Sequence, residues 1–106
     1  DVMVIALKRF HYTGKKIQKP VQIPMNHLDL NKYVKNYIKT KYNYECFAIC
    51  NHSGGTLGGH YTDSIRNADG TWYLYNDMQI IKIEENLEHL NNNVSYCLFY
   101  RKKVAD

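Results

Sequence analysis

Between positions 52 and 77 the chain gathers residue types that acid–base chemistry uses: His52, His60, Asn76 and Asp77. An imidazole activates a nucleophile when a second group accepts a hydrogen bond from one ring nitrogen. That contact sets tautomer and orientation and leaves the other nitrogen to take a proton. An amide carbonyl can be that acceptor, and a carboxylate would also stabilise the imidazolium. Whether these groups meet depends on what lies between them. Residues 67–71, NADGT, carry a turn signal and are flanked by Tyr61–Arg66 and Trp72–Tyr75, runs rich in aromatic and β-branched side chains. Counting outward from that turn brings His60 roughly opposite Tyr75 to Asp77. The sequence thus predicts an imidazole beside an amide and a carboxylate.

A His near an Asp at strand ends is often only a surface hydrogen bond, so the neighbouring glycines matter. Residues 52–60 read HSGGTLGGH, with four Gly in nine positions, a density no regular element tolerates. A mobile turn would account for it, but Gly58 and Gly59 also remove side chains immediately before His60, letting another backbone approach closely.

The elements around this segment read as strands. Val2 to Phe10 is a near-continuous apolar run that ends in charge, which suggests a central strand buried on both faces. His11 to Lys19 is a turn or hairpin tip, and Pro20 and Pro24 bracket a short extended segment, Val21 to Ile23. A short helix is expected from near Asp29 or Asn31 and another over Glu84 to Leu90. Tyr42 to Asn51, Met78 to Ile83 and Val94 to Lys103 complete the strands, with a loop at Asn91 to Asn93. The expected fold is α+β, one domain over residues 1–106, built on an antiparallel sheet with short helices.

Composition narrows the function. The 106 residues are 44% apolar and 13% aromatic, enough for a core, and the net charge of +4 is spread along the chain rather than gathered into a nucleic-acid face. No apolar run approaches the roughly 18 residues that cross a bilayer, so no membrane partner is expected. Three cysteines, Cys46, Cys50 and Cys97, form neither a disulfide framework nor a four-ligand zinc pattern. They read as buried small hydrophobes in a reducing compartment. No metal or other cofactor is expected.

The string YECFAICNHSGGTLGGHYTDSIRNADGTWYLYND, with IALKRF before it and SYCLFYRK after it, resembles the histidine-box region of the ubiquitin-specific proteases. The resemblance runs from Val2 to about Lys102. Its features come in order: L-K-R-F, V-x-I-P, L-D-L, H-S-G, G-G-H-Y, an Arg, W-Y, an aromatic-Asn-Asp and a closing Tyr-x-Leu-Phe-Tyr. It implies an isopeptidase of papain-like architecture, of which this chain is the palm portion, cleaving after the carboxy-terminal Gly-Gly of ubiquitin or a ubiquitin-like modifier. By resemblance His60 is the base, Asn76 the usual third member of the triad, and Asp77 a residue that can share or take over that role. His52, Gly59 and Tyr61 match positions lining the passage for the ubiquitin tail. The loop Ser53, Gly54, Gly55, Thr56, Leu57 and Gly58 matches one that gates it.

Two family features are missing. Nothing resembles the G-N-T-C-Y block that carries the nucleophile, and the zinc-binding C-x-x-C pairs that precede the L-K-R-F strand are absent. The chain therefore reads as the stretch on the carboxy-terminal side of the finger insertion, beginning within a longer protein, and is expected to be inactive without the amino-terminal part of its own domain. The alternative is a non-catalytic ubiquitin-binding or scaffold module of the same fold, although such a module has no chemical need of His60, Asn76 and Asp77 together. A cytoplasmic or nuclear location is expected from the reducing profile.

Overall fold

A computed structural model describes residues 2–9, 16–17, 19–33, 43–54, 59–83 and 94–103. They form β1 (Val2–Ala6), β2 (Leu28–Asp29), a 3-10 turn (Asn31–Tyr33), β3 (Asn43–Ser53), β4 (His60–Arg66), β5 (Trp72–Asn76), β6 (Gln79–Ile83) and β7 (Ser95–Lys102). The strands make one antiparallel sheet in the order β1-β7-β3-β4-β5-β6, with β2 added to β3. At eleven residues β3 is long enough to serve two neighbours on one side: Tyr44 and Asn43 pair with β2, and Ala48 to Ser53 pair with β4. No helix among the described residues is long and apolar enough to cross a membrane.

One face of the sheet is the core. Cys46 and Ile49 of β3, Trp72 of β5, and Leu98 and Tyr100 of β7 are buried there together with Ile23 and Met25. The last two lie on an irregular stretch that is tied to the sheet where Cys46 N–H donates to Met25 O, 2.8 Å. Tyr100 is 1% exposed and its hydroxyl donates to Pro24 O at 3.0 Å, so a phenol is buried with its polar end satisfied. Strict alternation would set Cys46 and Ile49 on opposite faces. A register shift between Cys46 and Ala48 puts one extra residue, Phe47, into β3 and returns Ile49 to the side of Cys46.

Two expectations change. β1 is an edge strand with Val2 and Val4 64% and 54% exposed, not a central one: the run is apolar at every position, but only alternate residues pack. The segment Val21 to Ile23 is not a strand, and pairing falls instead on Leu28 and Asp29. Of the helix anticipated from near Asp29 or Asn31, the described residues hold the 3-10 turn Asn31–Tyr33, where Asp29 Oδ1 accepts from Asn31 N–H at 2.9 Å, and its continuation lies outside the described residues. The expected helix over Glu84 to Leu90, the loop at Asn91 to Asn93 and most of the His11 to Lys19 turn lie outside the described residues.

Candidate functional site

The hairpin of β4 and β5 closes as its sequence suggests. Asn67 N–H donates to Thr71 O at 2.8 Å, Gly70 N–H to Asn67 O at 2.9 Å, and Thr71 N–H to Asp69 Oδ1 at 2.9 Å. Gly70 sits at φ 87°, a left-handed value that suits glycine. From this turn the ladder runs Arg66↔Trp72, Ile65↔Tyr73, Ser64↔Leu74 and Asp63↔Tyr75, then stops. His60 therefore pairs only with β3, through Ser53.

Contact across the open end is made by side chains. Ser64 stands opposite Leu74, so even-numbered residues of both strands share a face, and His60 and Asn76 lie on it one diagonal step apart. His60 Nε2 is 2.6 Å from Asn76 Oδ1. With the carbonyl as acceptor, Nε2 carries the proton and Nδ1 holds a lone pair. The shared face is also the one that buries Ser64 and Trp72, so the pair sits at the solvent-open end of the core side.

Asp77 is the next residue but is placed differently. It is the first residue of the two-residue turn into β6, with φ 53°, and makes no hydrogen bond or ion pair among the described residues. The acceptor on the ring is the amide.

His52, Gly59 and Tyr61 come together on the other side of β4. His52 pairs directly with Tyr61, and their ring centroids are 4.6 Å apart. A Cβ at residue 59 would stand 2.3 Å from His52 Nε2 and 2.6 Å from Ser53 O, closer than real contacts allow, so only glycine fits there. Alternation along β4 directs His60 and Tyr61 to opposite faces, and Gly59 is the exposed, side-chain-free step beside them. Of the anticipated gating loop, Ser53 ends β3 and Gly54 takes φ 105°, while residues 55–58 lie outside the described residues.

Sequence does not single out one neighbour of His52. Lys16 Nζ donates to His52 O at 2.6 Å and lies 3.2 Å from His52 Nδ1. Lysines are dense between positions 8 and 19, and nothing in that run separates Lys16 from the others.

The three thiols are free, and none lies in the His60–Asn76 contact. Burial pushes the Cys46 thiol up to about 11. Cys50 also rises to about 11, by burial first and then by the facing Asp63 carboxylate. Neither supplies a ready thiolate at neutral pH. Among the described residues no group of three or more His, Cys, Asp or Glu converges as a metal site.

A sheet whose open end presents an imidazole bonded to an amide carbonyl has the make-up of the base-and-orienter half of a papain-like thiol hydrolase. The sequence pattern of the family described as ubiquitin carboxyl-terminal hydrolase matches residues 1–100. Ubiquitin carboxyl-terminal hydrolase 9 of Arabidopsis thaliana is 41% identical over 106 residues, covering 96% of this chain and 11% of that protein. Ubiquitin carboxyl-terminal hydrolase 15 of Homo sapiens is 34% identical over 106 residues, again 96% and 11%. The solved Ubp8-Sgf11-Sgf73-Sus1 SAGA DUB module superposes with a TM-score of 0.83 at 26% identity, over 99% of this chain and 24% of that one. The same module bound to monoubiquitin gives 0.81 at 27% identity, over 99% and 24%. This chain belongs to the ubiquitin carboxyl-terminal hydrolase family, and its sheet is part of that family's ubiquitin-specific protease fold. It spans about a tenth of the length of the curated relatives it matches.

Proposed function

We propose that the protein containing this chain is a thiol-dependent deubiquitinase that hydrolyses the isopeptide bond after the carboxy-terminal glycine of ubiquitin, with His60 as general base and acid and Asn76 as the residue that orients it. The observation that carries this reading is the 2.6 Å contact between His60 Nε2 and Asn76 Oδ1, which leaves Nδ1 open at the exposed end of the sheet. Family membership supplies the substrate class. The likeness to a module solved with monoubiquitin supports ubiquitin as partner.

In this mechanism a thiol from outside these 106 residues gives its proton to His60 Nδ1, and the thiolate attacks the glycine carbonyl carbon. Collapse of the tetrahedral intermediate breaks the C–N bond as the imidazolium returns the proton to the leaving lysine amine. Water, deprotonated by the same nitrogen, then attacks the thioester; carboxylate and free thiol are released. Asn76 holds the ring through both transfers. Asp77 contributes charge beside the site without touching the imidazole. His52, Gly59 and Tyr61 line the approach, and the segment 53–58 gates it. The free thiols fit a reducing cytoplasmic or nuclear compartment.

The test is turnover of a ubiquitin carboxy-terminal aminocoumarin substrate by the full-length protein and its His60→Ala variant. Loss of turnover to background is expected. Undiminished activity in the variant would assign the base to a different residue, and no turnover by the wild type would assign the protein to the scaffold class.

A further inference from the structure

Cys50 of β3 and Cys97 of β7 take no part in the proposed chemistry, yet the sheet sets them directly opposite each other. Opposed residues of an antiparallel pair have Cα atoms about 4.5–5.5 Å apart and side chains on one face. A disulfide spans Cα atoms roughly 4.4–6.8 Å apart, so this register suits one without moving either strand. Both thiols are free. Their face is the outer one, because the preceding Ile49 and the following Leu98 are themselves opposed and fill the core. Cys46 is buried on the core face opposite Tyr100, turned away from both.

The row that holds the pair is open to small solutes. Ala6 pairs with Cys97 from one side and Asp63 with Cys50 from the other; both flanking residues are exposed, and the two cysteines are half-buried. Burial, and then the Asp63 carboxylate, push the Cys50 thiol up to about 11. A thiol that basic is a poor leaving group, so a disulfide made with it exchanges slowly.

We propose that Cys50 and Cys97 form a reversible oxidation site, at which a peroxide joins β3 to β7 through an intramolecular disulfide. One thiolate attacks a peroxide oxygen; the O–O bond breaks, hydroxide leaves and is protonated to water, and a sulfenic acid forms. The facing sulfur then attacks that sulfur. The S–S bond forms as the S–O bond breaks, and the departing hydroxide takes the proton of the attacking thiol and leaves as a second water. Two electrons pass from the pair of sulfurs to the peroxide. The bond joins positions distant in sequence, so it restrains the opening of both strands. In a reducing compartment such a bond is transient, which suits a response to oxidant rather than a permanent brace.

The experiment exposes the full-length protein to hydrogen peroxide, blocks the remaining thiols with N-ethylmaleimide and maps the non-reduced digest by mass spectrometry. A cross-linked peptide pair joining Cys50 to Cys97, two hydrogens lighter than its parts and cleaved by dithiothreitol, is expected. Amide hydrogen exchange in β3 and β7 should slow about tenfold on oxidation, and Cys97→Ala should remove both the cross-link and the slowing. Met78, 98% exposed, reports the dose through its sulfoxide. Recovery of Cys50 and Cys97 as maleimide adducts from molecules already oxidised at Met78 overturns the proposal on the wild type alone, even if Cys97→Ala fails to fold. So does Cys50 linked to any other cysteine, or a Cys50–Cys97 cross-link that leaves exchange in β3 and β7 unchanged.

Discussion

Replacing Asn76 by Ala removes the acceptor from His60 Nε2–H and lets the ring rotate away from the incoming thiol. Loss of one hydrogen bond at this solvent-open end costs about 0.5–1.5 kcal/mol, or roughly 2- to 13-fold in kcat for the intact enzyme. Asp77→Ala should cost far less, and the double variant should match Asn76→Ala, because Asp77 makes no hydrogen bond to the ring. A double variant much slower than Asn76→Ala would give Asp77 a share in orientation. The thiols permit a second measurement at this scale. With Cys46 and Cys50 both raised to about 11, native-state alkylation by iodoacetamide should be slow at pH 7 and accelerate as pH climbs toward 11. Sequence brings His60 near Asn76 because the turn at 67–71 has a strong signal and strands count in twos. It cannot divide labour between Asn76 and Asp77, since what separates them is one left-handed backbone angle after the strand ends. Lys16 is invisible for a different reason: its partner is 36 residues away, and no local pattern encodes that meeting.

Strand existence can be read from side-chain type, whereas strand rank cannot. β1 reads as a near-continuous apolar run and β3 as a long, aromatic and almost uncharged one, both suggesting core strands, yet β3 is flanked on both sides and β1 has one neighbour. Phe47 hides a bulge: a period of two places Cys46 and Ile49 apart, and only pairing with Leu98 and Tyr100 shows them together. The same pairing sets Cys50 opposite Cys97 on the outer side. The raised thiols have a consequence for the strands that hold them. A thiol whose folded pKa exceeds its unfolded value of 9.0 favours the folded state while protonated. Stability should thus be flat below pH 9.0 and fall as pH rises toward about 11. Chemical denaturation at pH 8 and pH 10.5 would show it, and Cys46→Ala with Cys50→Ala should shrink the difference, leaving the part due to buried Tyr100, whose phenol burial also pushes up. Gly59→Ala is the sharpest change at the junction of loop and strand. Its Cβ meets both a side chain and the Ser53 carbonyl, so activity should be lost even where melting shows a folded protein.

At the scale of the molecule the described sheet presents the His60–Asn76 pair proposed above as base and orienter but no thiol beside it, so the 106-residue chain alone should not turn over a ubiquitin aminocoumarin substrate; measurable hydrolysis by the pure chain would reopen the search for a nucleophile within it. The architecture separates what is near in sequence from what is far. His60 and Asn76 are 16 residues apart and meet inside one hairpin, while β1 and β7 join positions as distant as Val2 and Arg101. Closing the longer loop costs roughly 1–2 kcal/mol more in chain entropy, and such long-range pairings form slowly. His60 and Asn76 can therefore meet early in folding, before the long-range pairings of β1 and β7 close. Gly70→Ala, which strains the one left-handed glycine of that hairpin's turn, should then slow refolding more than it hastens unfolding, so the same few residues that prepare the chemistry also set the pace at which the chain finds its fold.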